Sequence, residues 1–277
     1  MKKMKRFFFR AVHFVLCRLS RLDERVEANL QKYAPKEEMP NGDLLNGRDA
    51  RDPFFEKIRI ITHAGGGLQG MAYLNCKDGP ARYYELGNRT FEFDVQESAD
   101  GKFVLSHDPV NVTEEAFLQT KLDGRFAPMK LDALLGFAKE HPDVTVIFDC
   151  KVGSLGTFAG YLKENLEGTD AIDRVVIQVF REQDILDIRE VYNFKMLHVC
   201  MYAADYVAVA QRCLEYDIGA VSVSKKAISE REGWQLFPEK NICIFAYTVN
   251  TLEQFALLQK RKINGVFSDF LLESDII

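Results

Sequence analysis

The sequence predicts an α/β protein, a (β/α)8 TIM barrel with an N-terminal helical extension. Two observations carry this expectation. From residue 58 onward, short apolar runs alternate with longer stretches of helical period, and eight such runs can be counted. Several of the runs end in a carboxylate, lysine or histidine, which is where a barrel of this kind assembles its chemistry. The 277 residues, 47% hydrophobic and 28% charged, suffice for a large core. A formal charge of −5 gives no electrostatic reason to expect nucleic acid.

Residues 1–33 come first. Lys2, Lys3, Lys5, Arg6, Arg10, Arg18, Arg21 and Arg25 surround an apolar run from Phe7 to Leu19. That run is short of the ~20 residues needed to cross a bilayer, and Arg10 and Arg18 interrupt it. No small-residue cleavage site follows it. A basic amphipathic helix is expected, with two placements open: peripheral contact with an anionic membrane through residues 1–25, or packing on the protein body or a second subunit. Residues 34–57, with Pro35, Pro40, Asn41-Gly42 and Asn46-Gly47, read as a connector. Residues 58–277 read as the barrel domain.

The strand candidates are 58–62, 90–95, 144–149, 174–179, 196–201, 218–223, 242–248 and 265–268. Helices are expected over 131–140, 155–165, 183–191, 204–216 and 252–261. Ser98-Ala99-Asp100-Gly101 reads as a turn followed by a second extended piece, Lys102–His107, which breaks the strict alternation. An open doubly wound sheet is the alternative. Gly65-Gly66-Gly67 follows the first strand, but the helix-entry spacing and later ribose-binding acid of a dinucleotide site are not evident. The six cysteines form no C-x-x-C pair and mostly lie in apolar runs, so they read as buried thiols of a reducing, cytoplasmic compartment and not as a zinc site.

The candidate chemistry lies between Thr62 and Lys151. Side chains alternate along a strand, so Glu92 and Asp94 share a face, while Phe91, Phe93 and Val95 point towards covering helices. Buried carboxylates without a partner are costly, and a divalent cation removes that cost. Asp149, at the end of the third strand candidate, can complete a triad of metal ligands, with Mg or Ca the cations an all-oxygen set favours. Lys151 shares Asp149's face and is placed to contact an anionic substrate oxygen; ordinary ion pairs among these groups are the competing reading. His63 ends the first strand and His107 the excursion, so the two form a candidate acid/base pair. His13 and His141 read as surface, and His198 as a strand residue of structural value.

These residues resemble the glycerophosphodiester phosphodiesterases, whose wider superfamily includes the phosphatidylinositol-specific phospholipases C. The resemblance runs from about Ile58 to Leu272. It rests on an ordered set: His63, Phe91-Glu92-Phe93-Asp94, Asp100-Gly101 through His107-Asp108, Asp149-Cys150-Lys151, Tyr247-Thr248-Val249-Asn250, and Asn264-Gly265-Val266-Phe267-Ser268-Asp269. It implies a (β/α)8 barrel that hydrolyses a small-molecule or lipid phosphodiester with a divalent cation. His63 and His107 match the family's acid/base histidines, Glu92 and Asp94 its metal ligands, and Lys151 its lysine. Asp149 stands where many members have Glu. Ala64 stands where many have an arginine that grips phosphate, and Leu74-Asn75-Cys76 replaces a Glu-Asn-Thr run. Together these departures resemble a divergent His-Ala-Gly-Gly, Asp-x-Lys subgroup. Phospholipase C-like or lysophospholipase D-like activity on membrane lipid, a non-catalytic phosphate-binding barrel, and a Schiff-base enzyme using Lys151 are the alternatives.

Overall fold

The computed structural model describes residues 46–276. The expected N-terminal helix over 1–33 and its membrane contact lie outside these residues. Eight parallel strands close into a barrel: β1 (Ile60–Thr62), β2 (Thr90–Glu97), β4 (Thr145–Cys150), β5 (Val175–Val179), β6 (Lys195–Cys200), β7 (Ala220–Ser224), β8 (Cys243–Tyr247) and β9 (Gly265–Ser268). The strand β3 (Phe103–Leu105) pairs antiparallel with β2, Val95 opposite Leu105, as the Asp100-Gly101 turn requires. Closure comes from β1, which pairs with both β2 and β9.

Alternation along each strand divides the core in two. Outward residues such as Phe91, Phe93, Phe148, Ile177 and Val221 pack under the helices. Inward residues Ile61, Ile147, Val176, Leu197 and Phe245 fill the barrel interior. The helix α1 (Pro53–Glu56) closes the bottom, with Phe55 and Ile58 buried against the interior set. Asp52 caps it, accepting the Phe54 N–H at 2.9 Å, and Pro53 opens its first turn. The barrel's structure therefore begins inside the stretch expected to be connector.

Outer helices run where the periodicity places them: α4 (Leu131–Glu140), α5 (Leu155–Leu166), α6 (Glu182–Arg189), α7 (Tyr206–Glu215) and α10 (Leu252–Gln259). Four more are absent from the expectation: α2 (Asp78–Glu85), α3 (Glu114–Leu118), α8 (Lys225–Glu230) and α9 (Leu236–Glu239). In α2, Gly79-Pro80 mimics a turn signal. Pro80 lies in the first turn, whose N–H groups need no intrahelical partner. Gly79 lets the helix approach the loop after β1, since a Cβ there would stand 2.3 Å from the Gly65 carbonyl oxygen. The described cysteines are free thiols; burial pushes Cys150 and Cys200 well up, which leaves them inert. No helix among the described residues is long and apolar enough to cross a membrane.

His198 faces out of the barrel onto α7, almost wholly buried. Its Nδ1–H donates to the Val199 carbonyl at 3.1 Å, and its Nε2 accepts from Arg212 Nη1 at 3.0 Å. Only a neutral imidazole makes both bonds. Burial and the Arg212 charge push its pKa down to about 4. The unfolded chain therefore takes up the proton first, and stability falls as pH drops through 6.5 and levels off below 4. Urea unfolding at stepped pH is expected to lose about 3 kcal/mol more in wild type than in His198→Gln across that window. Parallel stability curves would remove His198 from the acid response.

Candidate active site

The interior positions change character at the C-terminal ends of the strands. On β1, β2 and β4 they are His63, Glu92, Asp94 and Asp149; on β5 to β9 they are neutral. Register sets the charged wall, because Asp94 is the direct partner of Asp149 in the β2–β4 ladder. Ligand atoms of Glu92, Asp94 and Asp149 lie within 4.8 Å of one another, and Glu92 and Asp94 are each 2% exposed. The three expected metal ligands thus meet at one point.

Each carboxylate has a support. Lys151 Nζ donates to Asp94 Oδ1 and, at 2.9 Å, to Asp149 Oδ2. Asn75, fully buried, donates from Nδ2 to Asp94 Oδ2 at 2.8 Å and accepts the Asp94 N–H at 3.0 Å. Glu92 Oε2 accepts the Ala64 N–H at 2.9 Å, a bond set up by the left-handed Ala64 backbone at φ 47°. Burial, then the Asp94 and Asp149 charges, hold the Glu92 carboxyl above its ordinary range. Burial alone would lower the Lys151 ammonium, but Asp94 and Asp149 outweigh it and raise it. Lys151 is therefore engaged with the triad, and any contact to substrate is made from that position.

The donor set fits a hard divalent cation. It offers only carboxylate oxygens, and Asp149 Oδ1 is buried with no hydrogen-bond partner. Glu92, Asp94 and Asp149 are the residues that would hold the ion.

The two histidines are fixed in the same way. His63 Nδ1–H donates to Asp269 Oδ1 at 2.7 Å, and its Nε2 lies 3.9 Å from Glu92 Oε2. Burial by itself would lower its pKa, but the Asp269 hydrogen bond and the charges of Glu92, Asp269 and Asp94 raise it to about 9. Asp269 is held in turn: Asn250 Nδ2 donates to its Oδ2 at 2.8 Å, and Asn250 Oδ1 accepts its N–H at 2.8 Å. At His107, Nδ1 meets Asp108 Oδ1 at 3.0 Å on an exposed loop. Both rings present Nε2 for proton transfer. Tyr73 stands between them, its ring centroid 4.8 Å from each, on backbone at φ 58°. Its hydroxyl bonds the Thr248 side chain.

Facing the charged wall is a cavity of ≈ 180 Å³ whose far side carries Gln178, Phe180, Met201, Ser222, Tyr247 and Phe267. Gln178 and Ser222 are 6% and 1% exposed and make no side-chain hydrogen bond within the described protein. Asn75, Asp269, Tyr73, Gln178 and Ser222 were not among the residues expected from sequence. The signals were slight: a polar residue breaking an apolar strand at Gln178 and at Ser222, and Asn75 and Asp269 inside motifs already quoted for the resemblance.

No protein-family model matches the chain, and no curated protein matches it. Solved structures do share its fold. A phosphodiesterase from Oleispira antarctica, in complex with the product sn-glycerol-3-phosphate, superposes with a TM-score of 0.65 at 15% identity, covering 77% of this chain and 93% of its own. A glycerophosphodiester phosphodiesterase from Parabacteroides distasonis gives 0.63 at 17%, covering 76% and 92%. One from Thermotoga maritima gives 0.57 at 20%, covering 76% and 94%. The barrel expected from the sequence is thus the fold found, shared with that class of structure.

The Asn75 side chain hydrogen-bonds Asp94 alone, and its N–H the Ala64 carbonyl, so its effect on the site runs through a carboxylate. Asn75→Ala is expected to weaken divalent-cation affinity by roughly 10–100-fold in calorimetric titration. Unchanged affinity in a folded variant would contradict the placement of Asp94 as a ligand.

Proposed function

We propose that the chain is a metal-assisted phosphodiesterase that cleaves a glycerophosphodiester-type substrate to a phosphomonoester and an alcohol. One observation carries the reading: two histidines, each with Nδ1 tied to an aspartate and Nε2 open, flank a three-carboxylate site at the barrel mouth in which Glu92 and Asp94 are buried and Asp149 is half-buried. The likeness in fold to structures of glycerophosphodiester phosphodiesterases supports it.

Glu92, Asp94 and Asp149 would hold a cation, Mg or Ca on this oxygen-only donor set, and it would supply positive charge to the phosphate. The protein's own groups do the rest. One Nε2 takes the proton of the attacking hydroxyl as its oxygen bonds to phosphorus; the other gives a proton to the departing alkoxide as the old P–O bond breaks. The attacking group is the substrate's neighbouring hydroxyl, giving a cyclic phosphate that water then opens with the histidines' roles exchanged. Asp269 and Asp108 hold the tautomer that leaves each Nε2 free. Lys151 adds charge beside the phosphate, where an arginine at position 64 would otherwise grip it. Tyr73, midway between the rings, offers a flat wall along which the diester lies. The neutral far wall receives the uncharged, hydroxyl-bearing part of the substrate, with Gln178 and Ser222 as hydrogen-bonding partners.

His63→Ala and His107→Ala are each expected to lower turnover by roughly 10²–10⁴-fold on a glycerophosphodiester, and chelation to abolish it. Near-wild-type turnover in either variant, or activity that survives chelation, would overturn the assignment. A panel of glycerophosphodiesters, lysophospholipids and phosphoinositides, assayed with Mg²⁺, Ca²⁺ and Mn²⁺, identifies the head group. Gln178→Leu and Ser222→Ala are expected to raise KM for the polyol diester by about tenfold each while leaving kcat little changed. A fall in kcat with unchanged KM would place these side chains elsewhere in the reaction.

A further inference from the structure

The interior face continues down the strands to the opposite end of the barrel. Two residues below Glu92 stands Thr90, and two below Ile147 stands Thr145, its ladder partner. On the same alternation Lys195 precedes Leu197, and Arg174, the last residue of the 3-10 turn before β5, lines the same end. These bottom positions carry hydroxyls and cations, while Ile147, Val176 and Leu197 in the layer above are apolar. The bottom positions open, with Lys57, into a cavity of ≈ 880 Å³ at the N-terminal face, the end of the barrel opposite the carboxylate mouth.

Most charges around this cavity are already matched. Arg89 Nε donates to Asp143 at 2.6 Å. Asp52 is occupied in capping α1. Glu273 accepts the Ile60 N–H at 3.3 Å. The donors left over are of one kind. Lys57 and Lys195 lie over the Phe54 ring, 5.6 and 4.7 Å from its centroid, and neither has a carboxylate partner among the described residues. Thr90 and Thr145 are 4% and 6% exposed and make no side-chain hydrogen bond within the described protein. Arg174 spends its terminal nitrogens on the Ala138, His141 and Val144 carbonyls and on Asp170, but its Nε–H is buried without a partner. The threonine hydroxyls and lysine ammoniums face the cavity, where an acceptor on a ligand can meet them.

We infer that this cavity is a second binding site, one that takes a phosphorylated small molecule at the face opposite the candidate active site. Two ammoniums and two hydroxyls suit a phosphoryl group, which brings up to two negative charges and three terminal oxygens; a carboxylate would leave donors unmatched. Asp173, on the same cavity, suits a hydroxyl group on the organic remainder, and the volume accommodates one. The site is separate from the proposed hydrolytic reaction, so binding and turnover respond to different substitutions.

The test is calorimetric titration of the full-length protein with inorganic phosphate and with ribose 5-phosphate, in chelator. Without cation the carboxylates leave the mouth net negative, which disfavours phosphate there. One binding event per chain is expected, tighter for the sugar phosphate than for the free ion. It weakens about tenfold or more in Lys57→Gln and in Lys195→Gln, and measurably in the near-isosteric Thr145→Val, with diester turnover within about twofold of wild type. Absence of binding to the wild type overturns the inference. So does binding that these variants leave unchanged, or binding that Lys151→Ala removes, which would put the ligand at the mouth.

Discussion

Crowding of three carboxylates into the barrel mouth is the constraint on which the rest of the site depends. At 4.8 Å, two like charges repel by roughly 3 kcal/mol at an effective dielectric of about 20. Lys151 brings one positive charge to the three carboxyls, and its ammonium reaches only Asp94 and Asp149. Asn75 and the Ala64 N–H orient Asp94 and Glu92 without neutralising them. Burial resists the charge on Glu92 further. An arrangement held at such cost is what a divalent cation relieves.

The same crowding explains the geometry around it. His63 gains its proton affinity from the acids beside it, while Asp269 holds its Nδ1 and Asn250 holds Asp269. That chain links the end of β1 to the segments after β8 and β9, so the site exists only in the closed barrel. The opposite wall carries no charge. One half of the mouth is therefore charged and the other neutral, and Tyr73 separates the two histidines across the opening.

Much of this was legible in the residues themselves. Strand alternation placed Glu92 and Asp94 on one face, and the Asp100-Gly101 turn announced the return that carries His107. Asp149 and Lys151 followed from the same alternation. Asp269 was not legible, because its role depends on β9 closing beside β1, a pairing more than two hundred residues apart in sequence. Asn75 and Tyr73 lie on left-handed backbone in an irregular loop, where no period guides the reading. The helix α2 was hidden by Gly79-Pro80, and the plug α1 by a loop-like composition that ends in two phenylalanines. Gln178 and Ser222 were visible only as small interruptions of apolar strands.

The direct test of the account is where a cation sits. Crystals grown with Mn²⁺, measured at an energy where manganese scatters anomalously, are expected to show one peak within roughly 2.0–2.6 Å of oxygens from Glu92, Asp94 and Asp149. The Lys151 ammonium should then be displaced from at least one of its two carboxylates. A map with no peak among the three acids at millimolar Mn²⁺, and Lys151 still bridging Asp94 and Asp149, would contradict the claim that the mouth is a metal centre.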